Sequence, residues 1–289
     1  MSDSLLTFIR ARLVIIFVLL SYGLSWGTFV IDDIILNGEP ESLDVFLDYF
    51  AKFGPTIAGL VLTFIVAGQA GLQKLLRGLV QWRVLPNRYL VAFLLPICIW
   101  IVALGIGWAS GGPLLNLNFQ IASLGTLALL FATRFFIGGG LGEEIGWRGV
   151  LLPTLQQKHG AFAASLIIGV FWGLWHAPLQ FIEEDVNVAE AIINTALFTL
   201  YTTALSVIFT WHFNSTGGSI LLCAILHATM NATNSYLEII ISNFDDIENA
   251  VILYGLTALA FAVLLIFIRG RQELCAKERV KNSPMDSSD

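Results

Sequence analysis

The sequence predicts an all-α polytopic membrane protein in which about eight transmembrane helices surround a polar cavity. Of its 289 residues, 56% are hydrophobic and only 12% are charged, whereas a soluble domain carries about twice that charged fraction. The apolar residues form runs close to the ~20 residues that a helix needs to cross a bilayer. The alternating segments of about ten residues that are typical of membrane β-barrels do not occur in the sequence.

Eight apolar runs are expected to cross the membrane, and together they form one domain over residues 1–270. Their approximate bounds are Leu13–Ile31, Pro55–Gly68, Leu90–Ala109, Ile121–Ile137, Phe162–Phe181, Val188–Thr210, Ser219–Leu237 and Val251–Ile268. The second run is short, so its helix is expected to begin earlier, near Leu47. Residues 271–289 are polar and are expected to form a cytoplasmic tail.

Positive and negative charges are predicted to separate between the two sides of the membrane. Fourteen of the fifteen Lys and Arg residues fall at the same ends of the predicted spans, and Lys52 is the exception. The loops at the other ends carry acidic clusters such as Asp32–Asp33 and Glu183–Asp185. Because cytoplasmic loops are enriched in Lys and Arg, both termini of this multi-pass protein of the cell membrane are predicted to be cytoplasmic. The expected environment is the lipid bilayer, and no basic surface for nucleic acid is indicated.

A few polar side chains in or beside the apolar runs are candidates for function. A charge within a membrane helix costs at least ~2.5 kcal/mol, so such residues rarely occur there without a role. The candidates are Glu143, Glu144, Arg148, His176, His227 and Asn231. The first three lie in the stretch GGGLGEEIGWRGV, which follows the fourth run.

Helical spacing relates several of these side chains to one another. Residues four apart share a helix face, so His227 and Asn231 are expected to face the same point, and Glu144 can pair with Arg148. Glu143 is rotated by ~100° from Glu144, so the two carboxylates are expected to have different roles. The glycines before the pair permit either a close helix contact or a break in the helix.

Other interpretations of the same residues are also open. Adjacent glutamates at a helix end often form a solvated pair, and intramembrane histidines and amides often only link helices by hydrogen bonds. His159 and His212 are interpreted as structural. The three cysteines are far apart and indicate neither a disulfide framework nor a metal site. A carboxylate pair, two intramembrane histidines and an amide together nevertheless favour the activation of water for hydrolysis.

Three motifs resemble those of the CPBP (CAAX protease and bacteriocin-processing, or Abi) family of intramembrane proteases. The family patterns are E-E-x-x-x-R, F-x-x-x-H and H-x-x-x-N, which match EEIGWR from Glu143, WGLWH ending at His176, and HATMN from His227. Trp172 stands where the second pattern has Phe. The motifs extend over residues 138–235, about a third of the chain, and agree with the family in order and spacing.

The resemblance implies an all-helical endopeptidase that cleaves peptides or prenylated proteins, such as C-a-a-X tails, within or beside the membrane. It implies that Glu143 and His176 activate the attacking water. It also implies that His227 and Asn231 donate hydrogen bonds to the oxyanion, while Glu144 and Arg148 assist or fix the geometry.

Metal dependence is a separate question. Glutamate and histidine can bind zinc, and the family is often labelled a metalloprotease. The motif H-E-x-x-H is absent from the sequence, however, so we favour metal-free water activation with no cofactor and keep zinc as the alternative.

Two other functions are compatible with the sequence. A non-catalytic scaffold or bacteriocin-immunity-type protein of the same family would bind a peptide or lipid without cleaving it. A transporter would relay protons through the same residues, but two pseudo-symmetric halves are not detectable in the sequence.

The linear order of the predicted spans raises one geometric problem. In a plain zigzag of helices, Glu143 lies near the inner surface, and His176 lies ~20 Å further along the fifth span. The two side chains can meet only if the glutamate segment runs deeper or the fifth span begins in the cytoplasm. The segments Gly71–Arg83 and Arg148–Gly160 are expected to be interfacial helices, and Pro153 is expected to interrupt the second one.

Overall fold

The computed structural model describes residues 2–31, 41–110, 124–181, 187–240 and 244–274, and no strand occurs within these ranges. The helices are α1 (Asp3–Ala11), α2 (Leu13–Phe29), α3 (Glu41–Ala51), α4 (Gly54–Arg77), α5 (Pro86–Ala109), α6 (Leu124–Phe136), α7 (Gly139–Gly146), α8 (Leu152–Trp175), α9 (Val188–Ser215), α10 (Ile220–Ile240) and α11 (Phe244–Glu273). A π-helical turn, Trp147–Leu151, joins α7 to α8, and a 3-10 turn, Ala177–Gln180, follows α8. The predicted all-α class is therefore confirmed.

Several helices are long and apolar enough to cross a bilayer, so the chain has a polytopic membrane fold. Five segments within the described ranges meet this criterion, or up to six if α1 and α2, which meet at 81°, count as one broken span. The predicted number of eight spans is not confirmed by this criterion. Large apolar side chains such as Ile101 and Phe267 are exposed on the outer faces of their helices, as expected for contact with lipid.

The predicted interfacial helix at Gly71–Arg83 is shorter than expected. Gly68 has a φ of +62°, which breaks α4 and starts a separate short helix that ends at Arg77. Leu75 is buried, whereas Arg77 is exposed, so this helix is amphipathic as predicted. Residues 78–85 are not helical.

The chain is broken at Gly160, about midway between Glu143 and His176. Gly160 has a φ of +74°, a conformation that residues other than glycine rarely adopt. The segments before and after Gly160 form two arms, and two contacts between them show that the chain folds back. The Trp172 indole lies 2.5 Å from Glu143, and the ring centroids of Trp147 and Trp175 are 6.3 Å apart. Each arm is roughly 25 Å long, so the separation expected from the zigzag does not arise.

The prediction of an interfacial helix at Arg148–Gly160 is therefore wrong for its first half. Residues 147–152 are completely buried, so the glutamate segment runs into the bundle. Pro153 does not break the chain; it lies just after the π-helical turn Trp147–Leu151, in which the hydrogen-bonding pattern already departs from that of an α-helix. The interruption lies at Gly160 instead.

Close packing between α8 and α9 holds the second arm in place. A Cβ atom added to Gly169 would collide with the backbone of Thr203, and one added to Gly173 would lie 2.5 Å from the Cα of Thr199. The Thr202 hydroxyl also donates a hydrogen bond to the Gly169 carbonyl at 3.0 Å. The two helices are antiparallel, and small residues allow their backbones to touch.

Some predicted features lie outside the described residues. These are the acidic clusters Asp32–Asp33 and Glu183–Asp185, and residues 275–289 of the predicted tail. The described part of the chain ends at Leu274, which is buried and whose carbonyl accepts a hydrogen bond from the Asn214 side chain.

Candidate active site

Glu143 and Glu144 lie side by side on α7, and both are buried, with 4% and 0% of their surface exposed. A short helix can carry them into the core because glycines remove side chains where it meets neighbouring segments, including α10. A Cβ atom on Gly139 would collide with Nε2 of His227 and would lie 2.6 Å from Oε1 of Glu143. Glycine at position 139 is therefore required for α7 and α10 to approach this closely.

Glu144 connects three of the predicted site residues. Its Oε1 accepts a hydrogen bond from Nη1 of Arg148 at 3.0 Å and another from Nδ1 of His227 at 2.7 Å. The pairing of Glu144 with Arg148 is the one that their spacing predicts. The contact with His227 joins α7 to α10 and fixes the orientation of the imidazole ring.

Arg148 lies in the π-helical turn and is completely buried between two aromatic rings. Its Cζ atom lies 4.6 Å from the centroid of Trp172 and 4.5 Å from that of Phe209. The planar guanidinium can stack on such rings while it pairs with a carboxylate, which lysine cannot do equally well. The assignment of Arg148 to the cytoplasmic surface is therefore wrong, because tertiary packing encloses it.

Glu143 has a different environment from Glu144, as their rotation on the helix predicts. Its Oε2 accepts a hydrogen bond from the Trp172 indole N–H at 2.5 Å. Its Oε1 lies 3.8 Å from Nε2 of His227. Glu143 lines a cavity, whereas Glu144 does not.

Trp172 has a role that sequence reasoning missed. It was interpreted only as an aromatic replacement for Phe in the second motif. Its indole N–H, which Phe lacks, holds one oxygen of Glu143 in place. The only sequence signal was the residue type itself, because tryptophan is a hydrogen-bond donor that seeks a partner when it is buried.

His176 follows the last residue of α8 and lies half-buried between the rings of Trp175 and Phe198. Its Nδ1 lies 2.9 Å from the Trp172 carbonyl oxygen, which can only accept a hydrogen bond. Nδ1 therefore carries the proton, and in the neutral ring Nε2 keeps a free lone pair that can accept one.

A cavity of about 130 Å³ brings residues from six helices together. Its wall is formed by Phe29, Asp48, Ala51, Lys52, Arg134, Gly138, Gly139, Glu143, Trp175, His176, Leu179 and Asn231. Three of the six predicted site residues, Glu143, His176 and Asn231, line it directly. A cavity of this size can hold several water molecules.

The other three predicted site residues lie behind this wall. Glu144 and Arg148 are completely buried, and His227 is 2% exposed. His227 reaches the cavity only at its edge, through the contact of Nε2 with Glu143. The six predicted site residues therefore lie together in two layers: three line the cavity, and three lie behind them.

Arg134 also lies in the cavity wall, although its charge was assigned to the cytoplasmic surface. Its Nη2 donates a hydrogen bond to the Ser235 hydroxyl at 2.7 Å. The side of the membrane on which Arg134 lies stays a prediction. No motif distinguishes Arg134 from a surface cation, so its position could not be found from the sequence.

The arrangement of side chains does not match a zinc site. Across the described ranges, no three His, Cys, Asp or Glu side chains are arranged to hold a metal ion. The oxygen of Glu144 that faces His227 is already shared with Arg148. Metal dependence itself stays a prediction for experiment.

Comparison with known proteins identifies similar sequences for the segment that carries the site. A family model described as Type II CAAX prenyl endopeptidase Rce1-like matches residues 123–233, which include all six predicted site residues. The CAAX prenyl protease 2 of Methanococcus maripaludis is 34% identical over 102 residues, which are 34% of this chain and 37% of that protein. The chain thus spans about a third of the length of the curated relative that it matches.

Proposed function

We propose that the chain is an intramembrane endopeptidase of the CPBP family, because the segment that carries the site matches the Rce1-like family model and is similar to a CAAX prenyl protease 2. It hydrolyses a peptide bond near the membrane surface, with C-a-a-X-type tails, including prenylated ones, as the proposed substrates. The observation that carries this proposal is that Glu143 and His176 line the same cavity. A carboxylate and an imidazole that face one water-sized space can deprotonate a water molecule for attack.

In the proposed mechanism, Glu143 and His176 act on the same water molecule. Oε1 of Glu143 and the free Nε2 of His176 accept its two hydrogen bonds. The water oxygen attacks the carbonyl carbon of the scissile bond while its proton passes to one of these two bases. That proton then moves to the leaving nitrogen as the C–N bond breaks, so the products are a new carboxylic acid and a new amine.

The residues behind the cavity wall position these groups. The Trp172 N–H binds Oε2 of Glu143, which leaves Oε1 for the water. Glu144 and Arg148 hold the ring of His227 against Glu143. Fixed hydrogen-bonding partners of this kind reduce the reorganisation that the reaction would otherwise require.

Asn231 and His227 are the proposed oxyanion donors. The Asn231 side chain lines the cavity, and its amide group can donate a hydrogen bond to the negatively charged oxygen. Nδ1 of His227 is committed to Glu144, so Nε2 donates to the oxyanion when the ring carries both protons.

We propose that the reaction requires neither a metal nor another cofactor. The protein is proposed to lie in the cell membrane with both termini in the cytoplasm. Apart from the lipid bilayer, its partners are the peptide or protein tails that it cleaves.

The test is to incubate the purified protein with farnesylated and unmodified C-a-a-X peptides, each with and without a chelator, and to detect products by mass spectrometry. Glu143→Gln and His176→Ala are expected to abolish cleavage. Glu190→Gln is the matched control, because Glu190 is exposed at the start of α9. Cleavage that survives in folded Glu143→Gln protein would show that Glu143 is not the base. Absence of cleavage by the folded wild-type protein would instead favour a non-catalytic scaffold or bacteriocin-immunity-type protein.

A further inference from the structure

Arg134 is a positive charge in the cavity wall that has no carboxylate partner among the described residues. Its one recorded hydrogen bond is to the neutral Ser235 hydroxyl. Its Nε is buried and has no hydrogen-bond partner in the described part of the chain. By contrast, the other basic side chain in the wall, Lys52, pairs with Asp48 at 2.6 Å.

An unpaired guanidinium in a membrane cavity is costly to maintain, so it indicates a ligand. The guanidinium fork matches a carboxylate, because two parallel N–H groups can bind its two oxygens. The cavity also contains Glu143, the proposed base, so a group bound by Arg134 would be held in the same space as the reacting bond. Lys52 and Asp48 largely neutralise each other, which leaves Arg134 as the attractive charge for an anion.

We propose that Arg134 binds the C-terminal carboxylate of the peptide substrate. The protein would then act on peptides with a free C-terminus and release a short terminal segment. This inference rests on the proposed function, since it assigns a subsite of the same cavity.

The test compares two peptides of identical sequence, one with a free C-terminal carboxylate and one with a C-terminal amide. Binding of both is measured to the Glu143→Gln protein, so that the readout does not depend on cleavage. A charge-assisted hydrogen bond of typical strength predicts that the free acid binds about 10- to 100-fold more tightly. In the double variant Glu143→Gln/Arg134→Gln, this preference is expected to disappear.

Two further variants complete the experiment. Lys52→Gln in the Glu143→Gln protein is expected to keep the preference, and Arg134→Lys is expected to keep part of it. Equal binding of the two peptides to the Glu143→Gln protein, or a preference that survives Arg134→Gln, would overturn the assignment. If the preference is found but the wild-type protein cleaves neither peptide, the proposed protease function fails while the carboxylate site stands.

Discussion

The indole N–H of Trp172 donates a hydrogen bond to Oε2 of Glu143 at 2.5 Å, and this contact joins the two arms of the polypeptide that meet at the cavity. It holds one oxygen of the proposed base and leaves the other free to face the cavity. The same indole ring packs on the Arg148 guanidinium, so Trp172 contacts both layers of the site.

Replacing Trp172 with Phe separates these two functions of the indole. Trp172→Phe keeps an aromatic ring near Arg148 but removes the donor to Glu143. We expect kcat/KM to fall about tenfold or more, because a hydrogen bond to a charged group is lost. The measurement is peptide cleavage by folded protein, with the thermal unfolding temperature as the control; unchanged kcat/KM would show that the N–H is dispensable.

The buried pair of Glu144 and Arg148 is expected to respond asymmetrically to substitution. Arg148→Met leaves the Glu144 carboxylate buried without its guanidinium and should lower the free energy of unfolding by about 3–5 kcal/mol. The double variant Glu144→Gln/Arg148→Met should recover part of that loss, since the uncompensated charge is gone. A double-mutant cycle of unfolding in detergent micelles measures the coupling, and simple additivity would contradict the prediction.

Gly160 tests the importance of the break in α8. No neighbouring atom lies within 4 Å of a Cβ added there, so Gly160→Ala acts only through its φ of +74°. We expect a loss of stability of about 1 kcal/mol or more, and reduced cleavage, because the arms that carry Glu143 and His176 would be misaligned.

Gly105→Ala is the matched control for Gly160→Ala. Gly105 also has open space around it but lies inside the helix α5, where alanine is expected to be neutral or stabilising. Equal effects of the two substitutions on stability would show that the conformation of Gly160 is not the cause.

Gly139 allows a test of the contact between α7 and α10. A Cβ atom at this position would collide with the His227 ring and crowd Glu143, so Gly139→Ala should lower kcat at least tenfold. The substitution Gly23→Ala adds the same atom in open space within α2 and should leave kcat unchanged. Cleavage rates of the two purified variants provide the comparison, and normal kcat in Gly139→Ala would argue against a close-packed site.

Local relations within the site could be predicted from the sequence, whereas relations between distant segments could not. Glu144 and Arg148 are four residues apart, and helical geometry alone brings them together even through a π-helical turn. The contact between Glu144 and His227 joins residues 83 positions apart, and only the packing of α7 on α10 produces it. The family motifs identify both residues as site residues, but a sequence motif does not specify the distance between two residues in the folded protein.

The position of the site along the membrane-spanning helices also could not be predicted from the sequence. The expected separation of Glu143 and His176 assumed straight spans, and the break at Gly160 removes that assumption. Nothing in the local sequence distinguishes Gly160 from the other glycines, because a positive φ is imposed by the packing of the two arms that it joins.

The sequence by itself determined that this is a helical membrane protein, and it identified the polar residues that a lipid environment would not tolerate without a role. Composition and helical periodicity are sufficient for that, since both depend only on the chain and the solvent. Tertiary structure alone decided that Arg148 is buried inside the bundle and that Arg134 lies in the cavity wall. A charge has the same hydropathy in both places, and only the neighbours that packing supplies determine whether water, a carboxylate or a substrate surrounds it.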